Sequence, residues 1–167
     1  MKLRGRAHRF GDDVNTDNII ASKYKAKSTD MRELARHLME DIDSEFVDRI
    51  QAGDFIVAGR NFGSGSSREA APRVIKEAGI AAVLAPSFAR IFFRNGINVG
   101  LPLLPVDTSE INNGDELEVD LAAAVVVNLT QGARLQAYTL LPRVMLNIIA
   151  DGGLAAHIRK HGTFVLD

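Results

Sequence analysis

The chain has 167 residues, 46% of them hydrophobic and 25% charged, with 14 Gly, 5 Pro and neither Cys nor Trp. That balance excludes a disordered, collagen-like or disulfide-stapled protein. A chain of this length buries roughly 70% of its unfolded surface without a metal or disulfide staple, so one domain over residues 1–167 is expected. Twenty Lys plus Arg stand against 21 Asp plus Glu, which gives no general attraction for nucleic acid.

The charge is unevenly spread. Residues 1–37 hold nine Lys or Arg and five Asp or Glu, so this stretch is +4 and the remainder −5. That suits an anionic ligand or an acidic partner, and suits a solvated basic face equally well. Without Cys the chain supplies no thiolate to zinc or to an iron–sulfur cluster. No apolar run has the length of a signal peptide or of a membrane span, so a cytoplasmic protein with no membrane partner is expected.

In chain order, Asp30 with Glu33 forms a capping box, and Met31, Leu34, Ala35, Leu38 and Met39 follow at helical spacing, which predicts a helix over 31–40. Residues 55–58 read as a buried strand, followed by a Gly/Ser-rich loop, a helix over 67–78 ended by Gly79, and a second buried strand over 80–85. Two such strands joined through a helix make a parallel βαβ unit, whose carboxyl end is where ligands bind. Ser87 is expected to cap a helix over 88–94 that stops at Asn95-Gly96, and Pro102 and Pro105 mark the strand over 101–106 as an edge.

Strands over 116–119, 124–129 and 135–140, with a turn at Gln131-Gly132, read as an antiparallel section. A last helix starts near Pro142, is re-capped at Gly152-Gly153 and runs to Lys160, with a short strand over 163–166. The fold class is α/β with a mixed sheet and flanking helices.

The stretch richest in chemistry is Gly59-Arg60-Asn61-Phe62-Gly63-Ser64-Gly65-Ser66-Ser67-Arg68-Glu69, between a buried strand and a helix. Glycines let backbone N–H groups approach a ligand, and the positive helix end favours an anion. Arg68 offers a fork for a carboxylate, and Ser66 and Ser67 place hydroxyls beside it. This describes a site for a carboxylic acid undergoing proton transfer; a serine cap on an ordinary helix explains the same residues. The stretch is neither G-x-G-x-x-G, nor a P-loop, nor a nucleophile elbow.

Residues 10–20 form an Asp/Asn-rich loop that lacks the Gly and Glu of a calcium loop and reads as a turn. In residues 87–97, Phe88, Ile91 and Phe92 read as core, while Arg90 and Arg94 share a face that can meet an anion or a partner. His157 and His161 have a metal-compatible spacing, but no nearby carboxylate or thiolate completes the pair in sequence, and a solvated helix end is the simpler reading. No metal site is assigned.

Together the segments at 11–20, 59–69 and 87–97, in this order and spacing, resemble the small-subunit family of 3-isopropylmalate dehydratase within the aconitase superfamily, over essentially the whole chain. The resemblance implies a swivelling β/β/α domain that closes over a large subunit. That partner would carry a [4Fe-4S] cluster, with none bound by this chain. It implies a hydro-lyase active only as a two-chain enzyme, which isomerises 2-isopropylmalate to 3-isopropylmalate in leucine biosynthesis.

By the same resemblance Ser66 is the catalytic base, and Ser67 and Arg68 bind a substrate carboxylate. The loop Lys23, Tyr24, Lys25, Ala26, Lys27, Ser28 and Thr29 selects the hydroxy-diacid. Two positions depart from the family pattern: Ala70, where His is usual, and Ser64, where Cys is frequent. The three lysines of the selecting loop leave open homoaconitase, dimethylmalate and citramalate types. A non-catalytic module that binds small carboxylates is the reading from another class. The resemblance also leaves room for self-association of the isolated chain.

Overall fold

The computed structural model describes residues 1–167. In chain order the elements are β1 (Lys2–Arg9), α1 (Thr16–Ile19), α2 (Ser22–Lys25), α3 (Met31–Ala35), α4 (Phe46–Arg49), β2 (Phe55–Val57), α5 (Ala70–Glu77), β3 (Ala82–Ala85), α6 (Arg90–Val99), β4 (Leu103–Pro105), β5 (Glu116–Asp120), β6 (Val125–Asn128), β7 (Ala133–Gln136), α7 (Arg143–Ala150) and α8 (Leu154–His161).

The seven strands form one mixed sheet in the order β4-β3-β2-β1-β5-β6-β7. From β4 to β1 the pairing is parallel, and from β1 through β7 it is antiparallel. β1 belongs to both halves: Lys2 to Arg6 pair with β5, and Ala7 to Arg9 pair with β2. Between these pairings Gly5 passes so close to Gly53 that a Cβ on it would lie 2.2 Å from the Gly53 carbonyl oxygen. The carboxylate of Asp54 ties the junction together by accepting from the backbone N–H groups of Arg6 and Gln51 and from the ring of buried His8.

The parallel strands are covered on both faces, which is why they read as unbroken apolar runs. Ile56, Val83 and Leu103 enter a core on one face with α3 and α5 residues such as Leu34, Val74 and Ile75. Phe55, Val57, Ala82, Leu84 and Leu104 enter the other, with Leu117, Val119, Ile148 and Ile149. The antiparallel strands β5 and β7 show one solvated face instead, with every second residue drawn inward. The parallel unit, the edge position of β4 and the antiparallel section all match the expectations above.

Several local expectations differ. The helix expected over 31–40 stops at Ala35 and continues as turns, in which Met39 is buried at φ 59° and its N–H donates to Ile19 O. The helix expected to stop at Asn95-Gly96 runs on to Val99 and ends at left-handed Gly100. Gly96 lies inside it against β4, where a Cβ would lie 2.4 Å from Leu103 Cδ1, so helix–strand packing overrides the local turn signal. Ser87 does not cap that helix; its hydroxyl accepts from Asn61 N–H instead. Ile91, expected in the core, is 53% exposed. The strand expected over 163–166 is irregular chain.

Candidate active site

The site lies at the carboxyl ends of β2 and β3, where the Gly59–Arg68 loop meets residues 11–20 and the start of α6. The Asp/Asn-rich stretch, read above as a simple turn, is the frame of this loop. Gly59 N–H donates to Gly11 O, Arg60 N–H to Asp12 Oδ1 and Gly63 N–H to Val14 O. In return Asp13 N–H donates to Arg60 O, and Thr16 N–H to Ser64 O. Asp13 and Asn61 both take left-handed backbone, at φ 57° and 59°, and are joined by a 3.0 Å hydrogen bond from Asn61 Nδ2 to Asp13 Oδ1. Asn and Asp tolerate that conformation better than other non-glycine residues, and the cross-bond holds it.

From the other side Phe62 exchanges backbone hydrogen bonds with Ser87 and Ala89. Gly63, at φ 83°, packs against Phe92, where a Cβ would lie 2.1 Å from Cγ. This close approach needs glycine. Ser64 contributes to the frame through its backbone oxygen, which accepts from Thr16 N–H, so the frame does not depend on its hydroxyl. Ala70 is buried at the first position of α5.

Ser66, Ser67 and Arg68 precede α5 rather than opening it, because the helix begins at Ala70 and has no side-chain cap. The structure brings them together in a cavity of about 220 Å³ lined also by Thr16, Gly63, Gly65, Arg90, Phe92 and Asn95. Thr16 Oγ1 donates to Ser66 O at 2.8 Å, which fixes the backbone below the Ser66 hydroxyl. Asn95 Nδ2 stands 3.5 Å from Ser67 Oγ. Thr16 and Asn95 carry no sequence signal as site residues, since only the fold places them here. Arg90, suspected from its helix face, is on the cavity wall.

Arg68 is largely withdrawn from solvent, its side chain 19% exposed. Its Nη1 donates to Asp17 Oδ1 at 3.0 Å and to Ile20 O at 3.4 Å. Nε and Nη2 have no partner in the chain, so the edge of the guanidinium that grips a carboxylate through two parallel bonds is free. The Ser22 hydroxyl and backbone N–H, then Arg68, hold the Asp17 carboxyl below its ordinary value. Asp17 therefore stays an anion and orients the fork. The start of the lysine loop at Ser22 is thus bonded to the same carboxylate oxygen as Arg68.

A larger cavity of about 390 Å³ lies between α5, the end of α6 and the α7–α8 turn. Two of its three cations are already used: Lys76 Nζ spans Val99 O and Gly152 O, and Arg73 pairs with Glu69, while Arg159 lies on the wall with no partner in the chain.

The histidine pair departs from its expected place at a solvated helix end. His157 is fully buried, and Asp151 supplies the carboxylate that the local sequence did not reveal. Asp151 Oδ2 faces His157 Nδ1 at 2.7 Å and His161 Nε2 at 2.9 Å, and Oδ1 accepts from Lys160. His157 Nε2 accepts the Val165 N–H at 3.1 Å, which leaves the proton on Nδ1 for Asp151. Both ring nitrogens are committed, so the cluster clasps the last residues of the described chain to α8.

Comparison with known proteins places these features in a family. Residues 7–110 match the aconitase C-terminal domain. The chain is 54% identical to 3-isopropylmalate dehydratase small subunit 2 of Archaeoglobus fulgidus over 97% of its length and 98% of that protein. It is 47% identical to 3-isopropylmalate dehydratase small subunit 1 of Thermotoga maritima over 97% and 98% of the two chains. The crystal structure of 3-isopropylmalate dehydratase from Methanocaldococcus jannaschii shares the fold at a TM-score of 0.91, with 47% identity over 97% of this chain and 96% of that one.

Proposed function

The chain belongs to the aconitase C-terminal domain family, and on that premise we propose that it serves as the small subunit of a 3-isopropylmalate dehydratase. In this role it joins a large subunit to interconvert 2-isopropylmalate and 3-isopropylmalate, by loss and re-addition of water, in leucine biosynthesis. The similarity to dehydratase small subunits spans nearly the whole chain. One feature of the site carries the reading. The carboxylate-gripping edge of Arg68 has no partner within the chain, is partly desolvated and lines one cavity with Ser66 and Ser67.

Arg68 grips one carboxylate of the diacid through Nε and Nη2, and Ser67 donates its hydroxyl to the same group. Ser66 takes the proton from the carbon next to the departing hydroxyl and returns it on the reverse pass. An alkoxide is a strong base, so this role requires a positive, water-poor setting; Arg68 and Arg90 supply the charge, and closure of a partner over the cavity supplies the dryness. With no cysteine, the chain offers no thiolate for an iron–sulfur cluster. We assign that cluster to the large subunit, where it supplies the Lewis acidity for hydroxyl departure. No helix of this chain is long and apolar enough to cross a membrane.

The test is anaerobic co-purification with the cluster-bearing large subunit, followed by dehydration assays on isopropylmalate, citramalate, homocitrate and dimethylmalate. Turnover that requires both chains, fastest on isopropylmalate, is the expected result. A faster reaction on another diacid reassigns the substrate and keeps the reaction class. Calorimetry on the lone chain tests the rival: a half-site binds a diacid feebly, whereas micromolar binding with no association favours a non-catalytic module.

A further inference from the structure

We propose that Asn95 is a positioning residue, which turns the Ser67 hydroxyl toward the substrate carboxylate held on Arg68. The inference rests on the reading of Ser67 and Arg68 as the carboxylate grip. Asn95 and Ser67 line the same cavity as Arg68. Asn95 Nδ2 donates to Ser67 Oγ at 3.5 Å, and this is the only side-chain hydrogen bond that either residue makes within the chain. The neighbouring Ser66 is tied through its backbone oxygen, and its hydroxyl has no partner.

The packing of α6 sets where Asn95 stands. Before the helix starts, Phe62 exchanges backbone hydrogen bonds with Ser87 and Ala89. In its first turn Phe92 meets the Phe62 ring edge to face, with centroids 5.4 Å apart, and packs against Gly63. In the next turn Gly96 lies against Leu103 of β4. Asn95 stands three residues after Phe92 and next to Gly96, so one contact with the glycine loop and one with the sheet together hold it at its distance from Ser67. Asn is a poor residue for a helix interior, since its amide competes for nearby backbone groups. Here the amide reaches to the loop instead of to its own helix.

The consequence for Ser67 follows from what each group can donate. A serine hydroxyl has one proton and rotates to suit its partners. Nδ2 carries protons and accepts none, so a lone pair of Ser67 Oγ faces Asn95 and the Ser67 proton is left for an acceptor in the cavity. Nε and Nη2 of Arg68 also offer donors alone, so within this group only an incoming carboxylate can take that proton. When it does, Ser67 Oγ becomes a better acceptor and the long bond from Asn95 tightens. Ser66 has no such neighbour. The two adjacent hydroxyls are thereby distinguished: Ser67 is set to give a hydrogen bond, and Ser66 is left free for proton transfer.

In the assembled two-chain enzyme, Asn95→Ala is expected to raise KM for 3-isopropylmalate about tenfold with kcat within about twofold of the parent, as the loss of one neutral hydrogen bond implies. Asn95→Asp sets an anion against Ser67 that takes its proton and repels the diacid, so KM should rise further. A double-mutant cycle decides whether Asn95 acts through Ser67. In a Ser67→Ala background the Asn95→Ala change should alter KM by less than about twofold, because no hydroxyl remains to be turned. An equal rise in both backgrounds, which a merely structural role would give, or no rise in the parent background, overturns the proposal.

A signal that needs no turnover separates this outcome from failure of the functional reading. In NMR spectra of the full chain, the side-chain amide protons of Asn95 should resonate apart from those of exposed Asn98, and should move toward them in Ser67→Ala. Ser67 is exposed, so this variant leaves the fold undisturbed. An enzyme inactive on every diacid removes the functional reading, yet the Asn95 amide still judges the pair. An amide signal that Ser67→Ala does not move overturns it.

Discussion

Two regions of this molecule gather charged groups around an aspartate, and they end in opposite states. At the α7–α8 turn, Asp151 is 9% exposed in its side chain and receives two histidines and a lysine, while the second nitrogen of His157 is taken by Val165. Both oxygens of that carboxylate and both ring nitrogens of His157 are thereby used. At the glycine loop, Asp17 receives Ser22 and Arg68, but Nε and Nη2 of Arg68 have no partner in the chain, and Ser66, Ser67 and Arg68 line a cavity. A ligand site is therefore recognised by strong donors left unused where water is partly excluded, and neither the number of charges nor the size of the cavity reveals it.

The contrast is broken most sharply at its open end. Ser66→Ala removes the proposed base and should lower kcat of the assembled enzyme by about a thousandfold, with co-purification and melting temperature unchanged. Retained turnover would strip Ser66 of that role. At the closed end His157→Ala should do the reverse. It vacates a fully buried site and strands partners of the clasp, costing about 3 kcal/mol in denaturant unfolding, with KM of the folded fraction unaltered.

Arg68→Lys sharpens the comparison, since it keeps the charge and loses the two-bond grip. KM should rise about thirtyfold, with a smaller change in kcat, as measured by steady-state kinetics. The smallest effect is expected from Asp151→Asn under acid. Lys160 first, then His157, hold the Asp151 carboxyl below its ordinary value of 3.8. The stabilisation is complete above that value and is lost as pH falls through the lowered one. The variant should therefore lose stability at neutral pH and show a shallower acid limb in unfolding against pH.

What the sequence reveals follows the same division. The β2–α5–β3 unit is visible because strands buried on both faces must be apolar throughout, and the edge strand because Pro102 and Pro105 forbid a central place. β1 escapes notice because its inward apolar residues are only Leu3, Gly5 and Ala7, set beside buried His8 and among four Lys and Arg side chains, so no apolar period rises above the charge. Ser66, Ser67 and Arg68 stand out through their resemblance to a known pattern. Thr16, Asp17 and Asn95 do not, because their roles exist only once residues far apart in the chain are folded together. Asp151 is missed for a simpler reason: it precedes a glycine pair that reads as a break, and that break turns the carboxylate back onto the next helix.

The shared strand β1 has a consequence for how the chain is made. Its parallel partner begins at Phe55 and its antiparallel partner ends at Asp120. On the ribosome β1 emerges before either partner and waits until residue 120 is made before both of its edges are covered. Until then it presents unpaired backbone under a coat of arginine and lysine, a charge that discourages pairing with a neighbouring nascent chain. The basic bias near the start of the sequence thus has a use during synthesis that is separate from any ligand.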